Sequence, residues 1–215
     1  MRRSRGSIDA SQRSHYIHPM IFPASEHPAL VVGIKPWKRW QITPFLVPRY
    51  GPLKYLLTAR AALRESALQG RNILIWAARE PAGFAEAVAL KGAKLVRIED
   101  GFLRSVGLGS NHVGGSSLVV DETGIYFDPR APSALEAMLQ NQPADAVLLQ
   151  RAAVLREQLV QSGLTKYNVG SRAPLVIAAR QGQLRMLVPG QVENDASLRL
   201  GSPEVQSNLA LLQRV

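Results

Sequence analysis

Two short apolar runs with an amphipathic segment between them constrain the fold most strongly. The runs are Asn72 to Ala77 (NILIWA) and Lys94 to Ile98 (KLVRI). The segment between them, Pro81 to Leu90, is typical of a helix, with proline at its first position and Gly92 near its end. A strand, a helix and a strand in this order form a β-α-β unit, whose parallel strands are joined by a right-handed crossover. The sequence therefore predicts an α/β fold.

Other elements are predicted on both sides of this unit. Before it, the pattern indicates a strand over Ala29 to Ile34, no regular structure among the four prolines between Lys35 and Pro52, and a helix over Pro52 to Gln69 that Gly70 ends. After it, the pattern indicates a hairpin of 118–120 and 125–127, followed by a helix from Ser133 to about Gln140. A longer helix with one apolar face is predicted over 144–161. A strand is predicted at 185–189 and a helix that begins at Ser202.

The domain organisation follows from these elements. Residues 1–28 are basic, lack periodicity and are expected to be largely disordered. Residues 29–165 are interpreted as a first α/β lobe, 166–184 as a linker and 185–215 as the start of a second lobe. Because a lone strand and helix cannot bury their apolar faces, the second lobe is expected to be incomplete and the sequence to be cut short.

The positive charge is concentrated near the N-terminus. The net charge is +10, and residues 1–60 hold ten Lys or Arg against two Asp or Glu. Such a segment favours an anionic partner, which could be nucleic acid, an acidic membrane surface or a phosphorylated substrate. Trp37, Trp40, Phe45 and Tyr50 lie among its basic residues, a mixture that suits a membrane interface. The alternative is a solvated basic face whose aromatic rings turn into the core.

Several classes of site are excluded by composition. The chain has no cysteine, so it can form neither a disulfide nor a thiolate zinc site, and a cytoplasmic setting is consistent with this. No apolar run approaches the roughly eighteen residues needed to span a bilayer. No metal-ligand spacing, P-loop or dinucleotide fingerprint is present, and no nucleic-acid reading module is recognisable.

Charged side chains follow the second apolar run where its strand should end. Glu99, Asp100 and Gly101 come directly after Ile98, and Arg104 follows shortly after. Ligand sites of open α/β sheets lie at the carboxyl ends of strands, so these side chains are candidates for chemistry. The alternative interpretation is an acidic turn that closes a β-α unit.

Five motifs in one order carry a family resemblance over roughly 30–215. They are RIEDGFLRSVGLGS, SLVVDETGIYFD, PSALE, GLTKYN and LVPGQVENDAS. In this combination the chain resembles the capsular-polysaccharide β-Kdo glycosyltransferases, and in particular the second of their two tandem transferase modules. The resemblance implies the N-terminal Rossmann-like half of a two-lobed glycosyltransferase, the acceptor side, with the start of a second, nucleotide-side half.

The resemblance also implies roles for individual residues. Asp195 matches the nucleophile position, and Glu99 matches an acid/base position. Asp100 is expected to bind substrate and is the alternative for the acid/base role. Retention by double displacement needs such a pair of carboxyl groups. Arg104 would bind the Kdo carboxylate or hold one of the acids, and Gln191 would bind substrate or orient Asp195.

The reaction implied by the resemblance is Kdo transfer from CMP-Kdo to a lipid-linked Kdo acceptor, without metal or other cofactor. A cytoplasmic location with peripheral contact at the inner face of the inner membrane is expected, and nucleic acid is not an expected partner. Because the segments that bind the nucleotide in such enzymes are not matched, this chain is expected to be inactive alone. The alternative is a non-catalytic module that docks on membranes or on partners in capsule assembly.

Overall fold

The centre of the molecule is a five-stranded, mostly parallel sheet. The computed structural model describes residues 27–107, 113–141, 145–171, 173, 176 and 182–215. The strands are β1 (Ala29–Val32), β2 (Leu53–Leu56), β3 (Asn72–Trp76), β4 (Lys94–Asp100) and β5 (Leu118–Asp121), in the order β2-β1-β3-β4-β5. The first four strands are parallel, and β5 pairs antiparallel with β4. The predicted α/β fold is confirmed, whereas the disorder predicted for the leader concerns mainly residues 1–26, which lie outside the described residues.

Seven helices accompany the sheet within the described ranges. They are α1 (Pro36–Tyr50), α2 (Ala59–Leu63), α3 (Phe84–Leu90), α4 (Ala134–Asn141), α5 (Ala146–Ser162), α6 (Ala196–Gly201) and α7 (Asn208–Arg214). A short 3₁₀ turn, Ala77–Arg79, follows β3.

The core has two layers because alternate strand residues face opposite sides of the sheet. On one side Val31 and Leu74 pack with Leu46 of α1. On the other side Leu30 packs with Phe84 of α3 and with Ala62 of α2. The central strands β1 and β3 are thus buried on both faces, which explains why their sequences are nearly continuous apolar runs.

The prediction that the prolines exclude regular structure before Pro52 is wrong, because α1 occupies most of that segment. Pro36 stands at the start of the helix, where the missing N–H has no intrahelical partner to lose. Pro44 and Pro48 lie inside the helix and are exposed, so water can hydrate the carbonyls that they leave without a donor. The opposite side of the helix buries Ile42 and Leu46, which fixes it against the sheet.

The helix predicted over Pro52 to Gln69 is also wrong. Residues 53–56 form β2 and pair in parallel register with 29–32 of β1, which satisfies their backbone groups. Thr58 then caps the short helix α2 by accepting a hydrogen bond from Ala61 N at 3.1 Å. Leu57, part of the apparent helical stripe, is 82% exposed. Strand pairing has overridden a local spacing that favoured a helix.

The predicted hairpin of 118–120 and 125–127 is half right. Residues 118–121 form β5, but their partner is β4, and 125–127 form a turn. The cause is Asp121, a buried carboxylate that accepts hydrogen bonds from the backbone N–H groups of Thr123, Gly124 and Ala134 at 2.8 to 2.9 Å. These bonds turn the chain away from a hairpin and position the start of α4.

Several predicted helices are confirmed with shifted ends. Helix α3 begins at Phe84 instead of Pro81, after Gly83 with a φ of 72°. Helix α4 is capped by Ser133, whose hydroxyl accepts from Glu136 N at 3.1 Å. Helix α5 begins after Asp145 and ends at Gly163, as its pattern predicted, but it has no buried residue, so its apolar face covers none of the described core.

The C-terminal elements differ most from the predictions. Residues 182–190 form no strand in the structure, and Leu184 and Leu187 are each 87% exposed, because no described segment offers them a pairing partner. Ser202 follows α6 instead of opening a helix, and the last helix begins at Asn208 with Ser207 as its cap. The lobe boundaries proposed from the sequence remain a prediction.

We expect Asp121→Ala to lower the free energy of unfolding by about 3 kcal/mol, because three backbone N–H groups lose their acceptor at a buried site. Asp128→Ala is the matched control, since Asp128 pairs mainly with the exposed Arg130 guanidinium, and it should cost less than about 1 kcal/mol. Urea unfolding of both variants measures this. Equal losses would contradict the role given to Asp121.

Candidate active site

The carboxyl ends of β1, β3 and β4 meet at one edge of the sheet and form a cleft of about 410 Å³. Gly33 to Lys35 follow β1, Trp76 ends β3 and Glu99 with Asp100 end β4; all of these line the cleft. Parallel strands place their carboxyl ends on the same side of the sheet. The charged side chains predicted at the end of β4 therefore lie at a cleft built from three strands.

Asp100 is held between two cations. Its Oδ1 lies 3.1 Å from Lys38 Nζ, and its Oδ2 lies 2.8 Å from Arg104 Nε in a close ion pair without hydrogen-bond alignment. Arg104 is 1% exposed, and its two terminal nitrogens donate to Ser105 Oγ at 2.9 Å and to the Val113 carbonyl at 3.0 Å. The guanidinium thus fixes Asp100 to Ser105 and Val113, which lie on either side of residues 108–112 in the sequence.

Position 101, the glycine of the EDG motif, has no room for a side chain because Ser117 lies close to it. Gly101 N donates to the Ser117 carbonyl at 3.0 Å, and a Cβ at Gly101 would collide with Ser117. A second segment binds the residues after Gly101. The Lys166 carbonyl accepts a hydrogen bond from Arg104 N and the Tyr167 carbonyl accepts one from Gly107 N, both at 2.8 Å. The GLTKYN motif therefore anchors the loop that follows β4.

Glu99 differs from its neighbour. Burial raises the pKa of Glu99 to about 7, and the nearby Asp100 carboxylate adds to the rise, although Asp100 N donates to Glu99 Oε1 at 2.9 Å and favours the charged form. No salt bridge to Glu99 occurs within the described part of the chain. The two adjacent carboxyl groups thus have different environments. Asp100 is paired with two cations, whereas Glu99 has a pKa of about 7.

Lys38 links the cleft to helix α1. Its ammonium lies 3.3 Å from the centre of the Trp76 ring as well as beside Asp100. Burial lowers the pKa of Lys38, and the Asp100 carboxylate opposes this shift. A cation that contacts both a ring face and a carboxylate is fixed in position, and the indole forms part of the cleft wall.

Two further cations line the cleft. Lys35 and Arg79 are exposed, and neither has an ion-pair partner among the residues that the structure describes. Together with Lys38 and Arg104 they give the cleft four basic groups against two carboxylates. The cleft therefore favours an anionic ligand.

The loop predicted to carry the nucleophile reaches the cleft through Val192, which lines it. Asp195 itself is exposed and caps helix α6, accepting from Ser197 N at 2.9 Å and from Ser197 Oγ at 2.7 Å. Gln191 is held through its backbone, since its N–H donates to Asn208 Oδ1 and its carbonyl accepts from Asn208 Nδ2, both at 2.8 Å. Neither Asp195 nor Gln191 lines the cleft.

Tyr126 is influenced electrostatically by two of the carboxylates assigned from the sequence. Its ring packs on Phe102 with the ring centres 5.1 Å apart. Burial raises the pKa of Tyr126, and the carboxylates of Glu99 and Asp195 both contribute to the rise. Both acids therefore lie within electrostatic reach of one phenol.

The sequence analysis assigned Glu99, Asp100 and Arg104 to one site, and the structure brings them together. It did not place Lys35, Lys38, Trp76 or Arg79 there, and it took Lys166 and Tyr167 as linker residues. The order of β1, β3 and β4 in the sheet would have indicated the first group, because each member follows one of these strands or lies at its end. The contact of Tyr167 with the cleft depends on long-range folding that no local pattern carries.

Most of the chain is similar to known proteins. Residues 71–168, which include β3, β4 and the GLTKYN motif, match the family described as capsule polysaccharide biosynthesis protein. The capsule polysaccharide modification protein LipA of Neisseria meningitidis is 42% identical over 186 residues, which is 86% of this chain and 26% of LipA. The chain belongs to the capsule polysaccharide biosynthesis protein family.

Two further proteins are similar to this chain, and the solved structure among them has a similar fold. The lipopolysaccharide-processing protein LpsZ of Rhizobium meliloti is 37% identical over 80% of this chain and 40% of LpsZ. The solved structure of the Thermosulfurimonas dismutans protein KpsC, a β-Kdo 2,7 transferase, is 30% identical with a TM-score of 0.62, covering 87% of this chain and 56% of that one. The chain thus spans about a quarter of LipA and about half of the KpsC structure.

Within the described ranges, no cluster of three or more His, Cys, Asp or Glu side chains could hold a metal ion. The helices described there include none that is long and apolar enough to cross a membrane.

The raised pKa of Glu99 predicts how stability changes with pH. The folded chain binds the Glu99 proton more tightly than the unfolded chain, whose carboxyl has an ordinary pKa of 4.5. Stability contributed by this proton is present at low pH and is lost as the pH rises towards about 7. Relative to Glu99→Gln, the wild type should lose about 3 kcal/mol between pH ~4 and pH ~8.

Chemical denaturation at several pH values measures this difference. Glu86→Gln is the matched control, because Glu86 is exposed on α3, and its curve should run parallel to that of the wild type. A Glu99→Gln curve that also runs parallel to the wild type would contradict the burial of an ionisable group at this position.

Proposed function

We propose that this chain forms the acceptor-binding side of a β-Kdo transferase, with Glu99 as the base that activates the acceptor hydroxyl. The observation that carries the proposal is the pair Glu99 and Asp100 at the end of β4, where one carboxyl has a pKa of about 7 and its neighbour is bound to two cations. A general base works best when its pKa lies near the working pH. Two adjacent carboxyl groups in different environments have different pKa values and can therefore take different catalytic roles.

The proposed reaction transfers Kdo from CMP-Kdo to a Kdo residue of a lipid-linked acceptor in capsule assembly. CMP is a good leaving group, so the carboxyl on the acceptor side is needed chiefly to remove a proton from the attacking hydroxyl. Glu99 fits this task because its carboxyl is deprotonated above about pH 7 and has no salt bridge among the described residues. Asp100 and Arg104 then act as positioning residues that fix the end of β4.

The acceptor Kdo carries a carboxylate, for which the cleft offers Lys35 and Arg79. The sequence analysis gave that role to Arg104 as one of two interpretations, but its guanidinium is occupied by Asp100, Ser105 and the Val113 carbonyl. Lys35 and Arg79 are exposed at the cleft wall and pair with no acid in the described ranges. A planar guanidinium at Arg79 suits bidentate binding of a carboxylate.

Asp195 remains the proposed nucleophile and Gln191 a proposed substrate ligand. Support for Asp195 comes from Val192, which brings its loop to the cleft, and from the shared influence of Asp195 and Glu99 on Tyr126. To attack the anomeric carbon of Kdo, the Asp195 carboxylate would have to leave Ser197, whose N–H and hydroxyl it now accepts. Its attack would expel CMP and form a glycosyl-enzyme ester. The acceptor hydroxyl, losing its proton to Glu99, would then displace the Asp195 carboxylate, which gives net retention.

The acceptor site is tested by titrating the 215-residue chain with the methyl β-glycoside of Kdo, followed by NMR or calorimetry. We expect saturable binding that Arg79→Ala weakens about tenfold or more, because a charge-assisted contact is lost. Arg64→Ala is the matched control, since Arg64 is exposed at the end of α2, away from the cleft lining. Equal affinities for wild type and Arg79→Ala would contradict the assignment.

The same titration separates the proposal from its alternative. A non-catalytic docking module of capsule assembly has no reason to bind the Kdo glycoside, so an absence of binding would favour it. That the 215-residue chain transfers no Kdo alone remains a prediction, and a Kdo-elongated product formed from CMP-Kdo would contradict it.

A further inference from the structure

Helix α5 buries none of its seventeen residues against the described core. Helices in proteins derive most of their stability from packing an apolar face, so a long helix with its apolar face on the surface is suited to a partner. A groove of about 690 Å³ runs along this helix, and Val147, Arg151, Val154 and Leu155 contribute to its lining.

One face of α5 has the spacing of a coiled-coil seam. Its apolar residues follow one another at intervals of four, three and four positions; they are Leu148, Ala152, Leu155 and Leu159. This spacing places the side chains in one line, which can interdigitate with a similar line on a second helix. Leu148 is 50% exposed and Leu155 is 48% exposed. We call these four residues the α5 stripe.

Two arginines flank the α5 stripe, one on each side. Residues three and four positions apart are neighbours on a helix surface. Arg151 is therefore a neighbour of Leu148 and Leu155 on one side, and Arg156 is a neighbour of Leu159 on the other. Neither arginine forms an ion pair within the part of the chain that the structure describes. Both guanidinium groups can therefore pair with carboxylates of a bound partner.

The acidic residues of the same segment do not neutralise these arginines. The Asp145 carboxylate caps the start of α5 and accepts a hydrogen bond from Val147 N at 3.0 Å. Glu157 lies on the side of the helix opposite the α5 stripe, where it accepts from Gln161 Nε2 at 2.8 Å. Along α5 the stripe is therefore bordered by positive charge alone.

This charge argues against a second copy of the chain as the partner. Two α5 stripes packed together would bring four arginines to one contact without an acidic residue beside them, which is unfavourable. The other described helices compensate little, because none of them contains more than one acidic residue.

From these observations we propose that the α5 stripe binds an amphipathic helix of another protein, one whose apolar seam is flanked by Asp or Glu. The apolar side chains interdigitate across the contact, and Arg151 and Arg156 pair with the partner's carboxylates. Charges at the rim of such a contact select the partner more than they add affinity. The docking is independent of the proposed transfer chemistry, because no residue of α5 is among the described residues that line the cleft.

Fluorescence anisotropy with synthetic helices tests the proposal. The probe is a labelled peptide of about three heptads with Leu at its a and d positions and Glu at its e and g positions. A second peptide has Lys in place of Glu. The wild-type chain should bind the Glu peptide about tenfold more tightly than the Lys peptide, or more. The double variant Arg151→Glu/Arg156→Glu should reverse this preference, and Leu155→Gln should weaken binding of the Glu peptide about tenfold.

Matched variants separate the α5 stripe from the rest of the surface. Arg60→Glu/Arg64→Glu makes the same change in net charge at α2, where both arginines are exposed, and should keep the preference for the Glu peptide. Leu90, at the end of α3, is 88% exposed, and Leu90→Gln should bind the Glu peptide as the wild type does. Circular dichroism checks that all variants keep their helices.

Four results would overturn the proposal. They are no binding of the Glu peptide by the wild type, unchanged binding by Leu155→Gln, a preference reversed equally by Arg60→Glu/Arg64→Glu, and a dimer of the wild-type chain that Leu155→Gln dissociates. The last result, measured by analytical ultracentrifugation, would show that a second copy covers the α5 stripe.

Discussion

The ion pairs of Asp100 hold together the parts on which the site depends. This carboxylate ends β4, contacts Lys38 of α1 and contacts Arg104, whose guanidinium reaches Ser105 and the Val113 carbonyl. A helix, a strand end and two loop segments are thus fixed to one another. Removing one member of such a partly buried network leaves its partners desolvated and unpaired, which is costly. The folded arrangement of these segments therefore depends on every member of the network.

The same network determines the environment of Glu99. Both basic groups next to the end of β4 are committed to Asp100, and Glu99 lies buried beside it with a pKa of about 7. Lys38 also contacts the Trp76 ring and belongs to α1. Helix α1 therefore supplies one of the cations of the cleft that Glu99 lines.

The sequence predicted those parts of the molecule whose local pattern agrees with their tertiary role. Residues 73–76 are apolar and buried, and Leu95, Val96 and Ile98 give 94–98 an apolar pattern, so both strands were recognisable. Helix α1 was missed because its two inner prolines face solvent, where their cost is small, and β2 was missed because pairing with β1 overrides a helical spacing. The turn at Asp121 depends on hydrogen bonds to residues as distant as Ala134, which no short pattern shows.

Like the fold, the candidate site could be predicted from the sequence only in part. Glu99 and Asp100 follow an apolar run, and this position alone placed them at a sheet edge. Lys35 and Arg79 could be assigned only after the strand order was known, because they follow β1 and β3 in the chain. The capping of α6 by Asp195 required the structure, since the sequence indicated no helix there.

The central claim is that burial beside a cation-bound Asp100 raises the pKa of Glu99 to about 7. A site-resolved titration tests this claim most directly. The side-chain carboxyl carbon of Glu99 can be followed by NMR in a chain labelled at glutamate, with Glu99→Gln identifying its signal. The account predicts a midpoint of about 7. A midpoint near the ordinary 4.5 would contradict it, because Glu99 would then be a solvated carboxylate with no advantage as a base.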